Sequence, residues 1–196
     1  MTPAARVQTS IELLDSIIEA ARNKGAPADR ILAEWFRNNR FAGSKDRRAI
    51  RELVFAAIRA CGPMPVSGRS AMLRLGEVDE NIPALFDGSN YGPAAIRDGE
   101  SAAAGGVAPE WLEQRLAASD VTGQETEALL ERAPLDLRVN TLKADRATLE
   151  LPAPAITTAA SNGLRVDPGT QVEQWPSFRD GAIEVQDTGS QLACTA

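Results

Sequence analysis

Between Pro134 and Lys143 the chain reads Pro-Leu-Asp-Leu-Arg-Val-Asn-Thr-Leu-Lys. Leu135, Leu137, Val139 and Thr141 fall on one side of an extended strand, and Asp136, Arg138 and Asn140 on the other, because successive strand side chains alternate. A half-buried strand of this kind presents a guanidinium and an amide side by side, with Lys143 just beyond. Upstream, apolar residues recur at helical spacing. Downstream, the chain turns to short strands and turns. The strand is therefore a seam, and the order of elements predicts an α+β chain.

The upstream helices are read from their apolar stripes. Val7, Ile11, Leu14, Ile18 and Ala21 recur at steps of three and four, predicting a helix from Pro3 to about Asn23. Pro3 suits a first turn and Lys24-Gly25 a stop. A second helix after Pro27 buries Ile31, Leu32, Trp35 and Phe36. A third follows Gly43-Ser44, with Ser44 as N-cap and Ile50, Leu53, Val54, Ala57, Ile58 and Cys61 inward. Shorter helices are expected over Gly68–Leu75 and Ile82–Phe86, with a helical turn begun at Pro93–Arg97. Ser101–Ala108 is small and featureless and reads as a linker. Pro109 opens another helix, and Trp111, Leu112, Leu116, Leu129 and Leu130 are expected to pack together.

After the seam, Asp145 reads as the N-cap of a short helix through Leu149. Ile156–Ala159 and Leu164–Val166 read as strands around the turn Ser161-Asn162-Gly163. Trp175–Asp180 is expected to be a loop, Ala182–Val185 a strand, and Thr188–Ala196 the start of a helix. That helix breaks off almost as it begins, so the expectation is a longer protein of which this is the front part.

Composition removes several chemistries. The chain has no histidine, which excludes serine–histidine and cysteine–histidine catalysis and every histidine metal ligand. Cys61 and Cys194 are far apart and make no zinc site alone; without a secretion signal they read as free thiols in a reducing cytoplasm. No apolar run is long enough to span a membrane. The net charge of −6 hides a split: residues 22–59 hold 10 cations and 4 anions, a net +6, and the remainder a net −12. A basic segment on an acidic protein is an electrostatic footprint for phosphate, or else a solvated arginine-rich helix surface.

Two signatures in order suggest a family. Leu137-Arg138-Val139-Asn140-Thr141-Leu142-Lys143 is followed by Asp180-Gly181 and by Val185-Gln186-Asp187-Thr188-Gly189-Ser190-Gln191-Leu192-Ala193. Together they resemble the RNA cytosine-5 methyltransferases of the Fmu/Sun/RsmB type, which modify small-subunit ribosomal RNA. The helical part, with Asp46-Arg47-Arg48 and Arg51-Glu52-Leu53-Val54-Phe55, is similar to the NusB-like RNA-binding domain of that subfamily.

The resemblance implies a NusB-like all-α bundle over residues 1–100 and a linker with connecting helices over 101–133. Residues 134–196 then form a small α/β RNA-binding subdomain, cut before a Rossmann-like methyltransferase domain. S-adenosylmethionine is the cofactor of the full-length family. Its glycine-rich loop and both catalytic cysteines belong beyond Ala196, and Cys194 matches neither cysteine. No catalytic residue, bound cofactor or metal is therefore expected on this chain, which alone should be inactive. The expected partner is small-subunit ribosomal RNA, the expected state a cytoplasmic monomer. The alternative is a stand-alone NusB-like RNA-binding module acting in transcription antitermination or ribosome assembly.

Arg138, Asn140 and Lys143 are the first RNA-contact candidates: cations pair with phosphates, and an amide reads a base edge or a 2′-hydroxyl. Their other reading is an exposed strand face. Arg47, Arg48 and Arg51 are RNA candidates of the helical part, or solvated helix residues. Gln186 and Asp187 match a family signature near the catalytic cleft, and equally suit a turn with Asp187 or Thr188 as N-cap. The three tryptophans read as packing residues.

Overall fold

The structure, a computed structural model, describes residues 1–131 and 133–195. The expectations that reach Arg132, in the connecting segment, and Ala196, in the last helix, lie outside the described residues. The chain is α+β and divides into two compact units, Met1–Leu130 and Glu131–Ala196.

The first unit is helical: α1 (Pro3–Arg22), α2 (Ala28–Asn38), α3 (Ser44–Ala60), α4 (Gly68–Gly76), α5 (Glu110–Ala117) and α6 (Gln124–Ala128), with a 3-10 turn at Pro83–Leu85. Thr2 caps α1 by accepting from the Ala5 N–H at 3.1 Å. Beyond α1, Lys24 turns the chain out of the helix at φ +53°. Val7, Ile11 and Leu14 of α1 meet Leu32 and Phe36 of α2, Ile50 and Val54 of α3, and Met72 of α4 in one core. Cutting a core leucine such as Leu14 to alanine costs about 2–5 kcal/mol, through lost burial and a cavity. α4 can press against α1 because residue 68 is glycine. A Cβ there would strike the Ile11 carbonyl, and the Gly68 N–H instead donates to Asp15 Oδ1 at 2.6 Å.

Several expectations for this unit are corrected. Gly43, not Ser44, is the N-cap of α3: its N–H donates to Asp46 Oδ2 at 3.3 Å, and that carboxylate supplies the cap. Ile58 is on the exposed side of α3. Pro93–Arg97 makes no helical turn, because the Ala94 and Ala95 carbonyls accept from the Arg69 guanidinium at 3.0 and 3.2 Å. Ser101–Ala108 is not a loose linker. The Ala103 N–H donates to the Ser70 carbonyl at 2.9 Å, the Gly62 N–H to the Ala104 carbonyl at 3.3 Å, and Gly105 bridges to Cys61. Trp111 (60% exposed) and Leu129 do not join a packed cluster, since α5 buries no residue and Trp111 stands outward under Arg115.

The second unit is a four-stranded sheet: β1 (Leu135–Val139), β2 (Ile156–Thr157), β3 (Gly163–Val166) and β4 (Ile183–Val185), in the order β2-β3-β1-β4. Every pairing is antiparallel. Leu137 lies opposite Leu164 and Val139 opposite Ile183, so one face joins Val172 and Trp175 in a second core. The unit also holds a 3-10 turn at Val172–Gln174 and two short helices, α7 (Pro176–Arg179) and α8 (Thr188–Ala193).

Here too the structure departs from expectation. Asp136 was expected on an open face and is only 3% exposed, because Arg165 and the first residues of α8 cover it. Thr141 is exposed, since β1 ends at Val139. Asp145 does cap, accepting from the Ala147 N–H at 2.8 Å, but only a single turn follows, because Leu149 and Leu151 then lie against the sheet core. Trp175–Asp180 contains α7, started by Pro176 after the buried Trp175.

Candidate nucleic-acid interface

In the helical unit, the end of α2, the connection after it and the first half of α3 carry Arg37, Arg40, Lys45, Arg47, Arg48 and Arg51, all exposed except the half-buried Arg47. None of the six forms an ion pair with a described carboxylate; the pairs among the described residues lie elsewhere. The nearest acid in sequence, Asp46, is spent inward. It is buried and accepts from Arg6 Nε at 2.8 Å, from the Met1 ammonium at 3.4 Å and from Gly43. The Arg6 hydrogen bond is the main cause that holds its carboxyl below the usual value. The six cations thus keep their charge for solvent or for a ligand.

The cations are also placed. Arg47 Nε donates to the Ala42 carbonyl at 2.8 Å, and the guanidinium groups of Arg47 and Arg51 each stand 5.8 Å from the Phe36 ring centre. Arg48 points into solvent. In the connection between α2 and α3, Phe41 is 69% exposed and leans edge-on against Trp35, with ring centres 6.1 Å apart. The sequence reading weighed the three tryptophans and passed over Phe41; the signal available was an aromatic residue set between Arg40 and Lys45 in a turn.

In the strand unit, the polar face of β1 is a network. Arg165, directly opposite Asp136, donates from Nε at 2.6 Å and from Nη2 at 2.9 Å to its two carboxylate oxygens. Thr188, the first residue of α8, donates to Asp136 Oδ2 from Oγ1 at 2.6 Å and from its N–H at 3.1 Å. The Arg165 guanidinium is the chief cause that lowers the Asp136 carboxyl to about 2. Arg138 faces outward and pairs with Glu184, its register partner on β4. Asn140 Nδ2 donates to the Gly181 carbonyl at 3.0 Å, while its Oδ1 accepts from the Leu142 N–H at 3.1 Å. Lys143 Nζ donates to the Asp180 carbonyl at 2.6 Å. Asn140 and Lys143 are therefore both bound to the backbone of the 180–181 turn, while Arg138 is held by Glu184 on β4.

Gln186 and Asp187 sit between β4 and α8. Asp187 is the N-cap, accepting from the Ser190 N–H at 2.8 Å, and the Ser190 side chain is the first cause that holds its carboxyl low. Gln191, nearly fully buried, donates from Nε2 to the Gln186 carbonyl at 2.8 Å and to the Leu137 carbonyl at 3.2 Å. A cavity of about 90 Å³ lies beside these residues, lined by Arg138, Ser161, Asn162, Gln186, Gln191 and Cys194. Cys61 is buried, and burial pushes its thiol up; Cys194 is exposed. No cluster of three acidic or cysteine side chains able to hold a metal occurs among the described residues. No helix among them is long and apolar enough to cross a membrane.

No family model matches the chain, and no curated protein matches it. A solved structure described as "Crystal Structure of PH0851" is similar at 16% identity with a TM-score of 0.44. The match covers 98% of this chain and 55% of that one, so the chain spans about half the length of that protein.

Proposed function

We propose that this chain binds RNA, and that it is the RNA-gripping N-terminal portion of an S-adenosylmethionine-dependent cytosine-5 methyltransferase acting on small-subunit ribosomal RNA. The observation that carries the reading is the set of six exposed or half-buried cations clustered from the end of α2 through the connection to α3, none of them in an ion pair with a described carboxylate. A cation already paired must first give up its carboxylate. A free one gains both the Coulomb term and the release of condensed counterions. The two ordered signatures around Arg138 and Gln186 support the family part of the proposal, and with it a NusB-like identity for the helical unit.

In this reading Arg47, Arg48 and Arg51 meet phosphates. Arg138 exchanges Glu184 for phosphate when RNA arrives. Asn140 and Lys143 fix the 180–181 turn so that Arg138 and the turn backbone face the same strand of RNA. Gln186 and Asp187 set the start of α8 beside the small cavity.

Methylation at cytosine carbon-5 requires a thiolate that adds to carbon-6 and a base extruded from its stack. The described residues do not fit the cofactor: the sheet is antiparallel throughout and offers no parallel strand–loop–helix cradle. Neither the buried Cys61 nor the exposed Cys194 is assigned as nucleophile. This chain's own work is to bind and orient RNA.

A NusB-like module in antitermination or ribosome assembly is the second reading. It is favoured by one fact: all six cations of the α2–α3 cluster lie in the helical unit. Fluorescence anisotropy separates the two readings. The first expects tighter binding to small-subunit ribosomal RNA hairpins than to transcription-leader hairpins of equal length; the reverse order supports the second. No binding to either at low salt overturns both.

A further inference from the structure

We propose that the α2–α3 connection is a seat for unpaired bases of single-stranded RNA, with Phe41 as the stacking face and the surrounding cations on the phosphates. This rests on the RNA-binding reading above and specifies the form of RNA that the helical unit takes.

Phe41 is 69% exposed, although a large aromatic ring left in water forfeits its burial energy. The ring is nevertheless oriented. It stands at 78° to Trp35, and Trp35 in turn stands at 79° to Phe36, with ring centres 5.5 Å apart. Phe36 is buried in the core of the unit, so the exposed ring ends an aromatic ladder anchored at its base. An oriented aromatic ring with Arg37, Arg40, Lys45, Arg47 and Arg48 all within seven residues of it in the chain is the combination that holds single strands, because every base has a face to stack and every nucleotide a phosphate to neutralise.

A second observation sets the direction. Phe41 also lines a groove of about 1010 Å³, and Tyr91, 74% exposed, lines it too. The other lining groups include Gln8, Glu12, Asp15, Asn90 and Arg69, whose guanidinium is paired with Glu100. Carboxylates repel phosphate but accept hydrogen bonds from exocyclic amino groups of bases. Bases therefore enter the groove between the two aromatic residues, and the phosphates stay outside over α2 and α3. A duplex, whose bases are already stacked, cannot use this arrangement. It can touch only the cations.

The test uses the whole chain with a fluorescent single-stranded RNA, a duplex RNA of equal length, and polyglutamate as a non-nucleic polyanion. Phe41→Ala should weaken single-strand binding by about 5- to 150-fold, the value of one stacked base, and leave duplex binding unchanged. Tyr91→Ala should act in the same direction, and Phe41→Trp should retain binding, with its fluorescence quenched on RNA addition. Circular dichroism checks that each variant is folded, which an exposed ring makes the expected result. If the unchanged chain binds RNA but Phe41→Ala alters neither form, the stacking seat is wrong while the RNA reading stands. Polyglutamate binding that falls equally in Phe41→Ala would also overturn the seat. If the unchanged chain binds no RNA at low salt, the RNA reading itself falls and this proposal with it.

Discussion

Asp136 on β1 accepts two hydrogen bonds from Arg165, its partner directly across the β1–β3 pair, and two more from Thr188 at the start of α8. A single carboxylate thus ties two strands and a helix together on the side of the sheet away from the apolar core.

Removing that carboxylate should be costly. Asp136→Ala leaves the Thr188 N–H without its acceptor and Arg165 without its anion. Because Arg165 is partly exposed, we expect about 2–3 kcal/mol of destabilisation, at the lower end for a broken buried pair. Asp136→Asn should cost less, since its amide oxygen still accepts from Thr188. Urea denaturation of the three proteins measures the order.

The same group sets an acid limit. Its carboxyl is depressed from 3.8 to about 2 in the folded chain. Its contribution is therefore fully present above pH 3.8 and lost as pH falls towards 2. The acid unfolding of the strand unit should begin in that window, and Asp136→Asn should flatten the pH dependence there. An unchanged acid profile in Asp136→Asn would contradict this assignment.

Asn140 and Lys143 should report on structure as well as on binding. Asn140→Ala removes the Gly181 contact and should cost about 1 kcal/mol in the absence of RNA. Gly181→Ala should cost about 1–3 kcal/mol, because residue 181 has φ +71° and a Cβ there lies 3.1 Å from Lys143 Nζ. Thermal melts of the free protein decide this; an Asn140 side chain used only for RNA would leave the Asn140→Ala melt unmoved.

The two thiols should differ sharply. Burial raises the Cys61 thiol, and Cys194 is exposed. A thiol-reactive dye should label Cys194 in the native chain and Cys61 only after unfolding. Cys194→Ser should leave almost no native labelling.

Much of this was legible in the sequence where partners are close in the chain. The stripe of Val7, Ile11 and Leu14 and the alternation of Leu137 and Val139 follow from local periodicity, and capping chemistry narrows the α8 cap to Asp187 or Thr188, of which the structure takes Asp187. The polar side of β1 was not legible in the same way. Arg165 is 29 residues from Asp136, and the carbonyls held by Asn140 and Lys143 are 41 and 37 residues away, so nothing nearby marks them. Ser101–Ala108 misled for a related reason: small residues read as loose, whereas Ala103 and Gly105 lie close against α4 and the end of α3. The charge surplus of residues 22–59 was visible at once. That Asp46 turns inward, leaving six cations without a described carboxylate, needed the fold.

The salt dependence of RNA binding tests the central claim most directly. Affinity for a small-subunit ribosomal RNA hairpin is measured across a salt series for the unchanged chain and for Arg47→Ala/Arg48→Ala/Arg51→Ala. The account predicts measurable binding at low salt, falling linearly in log–log form, and a slope smaller by about 3 in the triple variant, roughly one for each lost phosphate contact. An identical slope and affinity in the triple variant, or no binding by the unchanged chain at low salt, would contradict it.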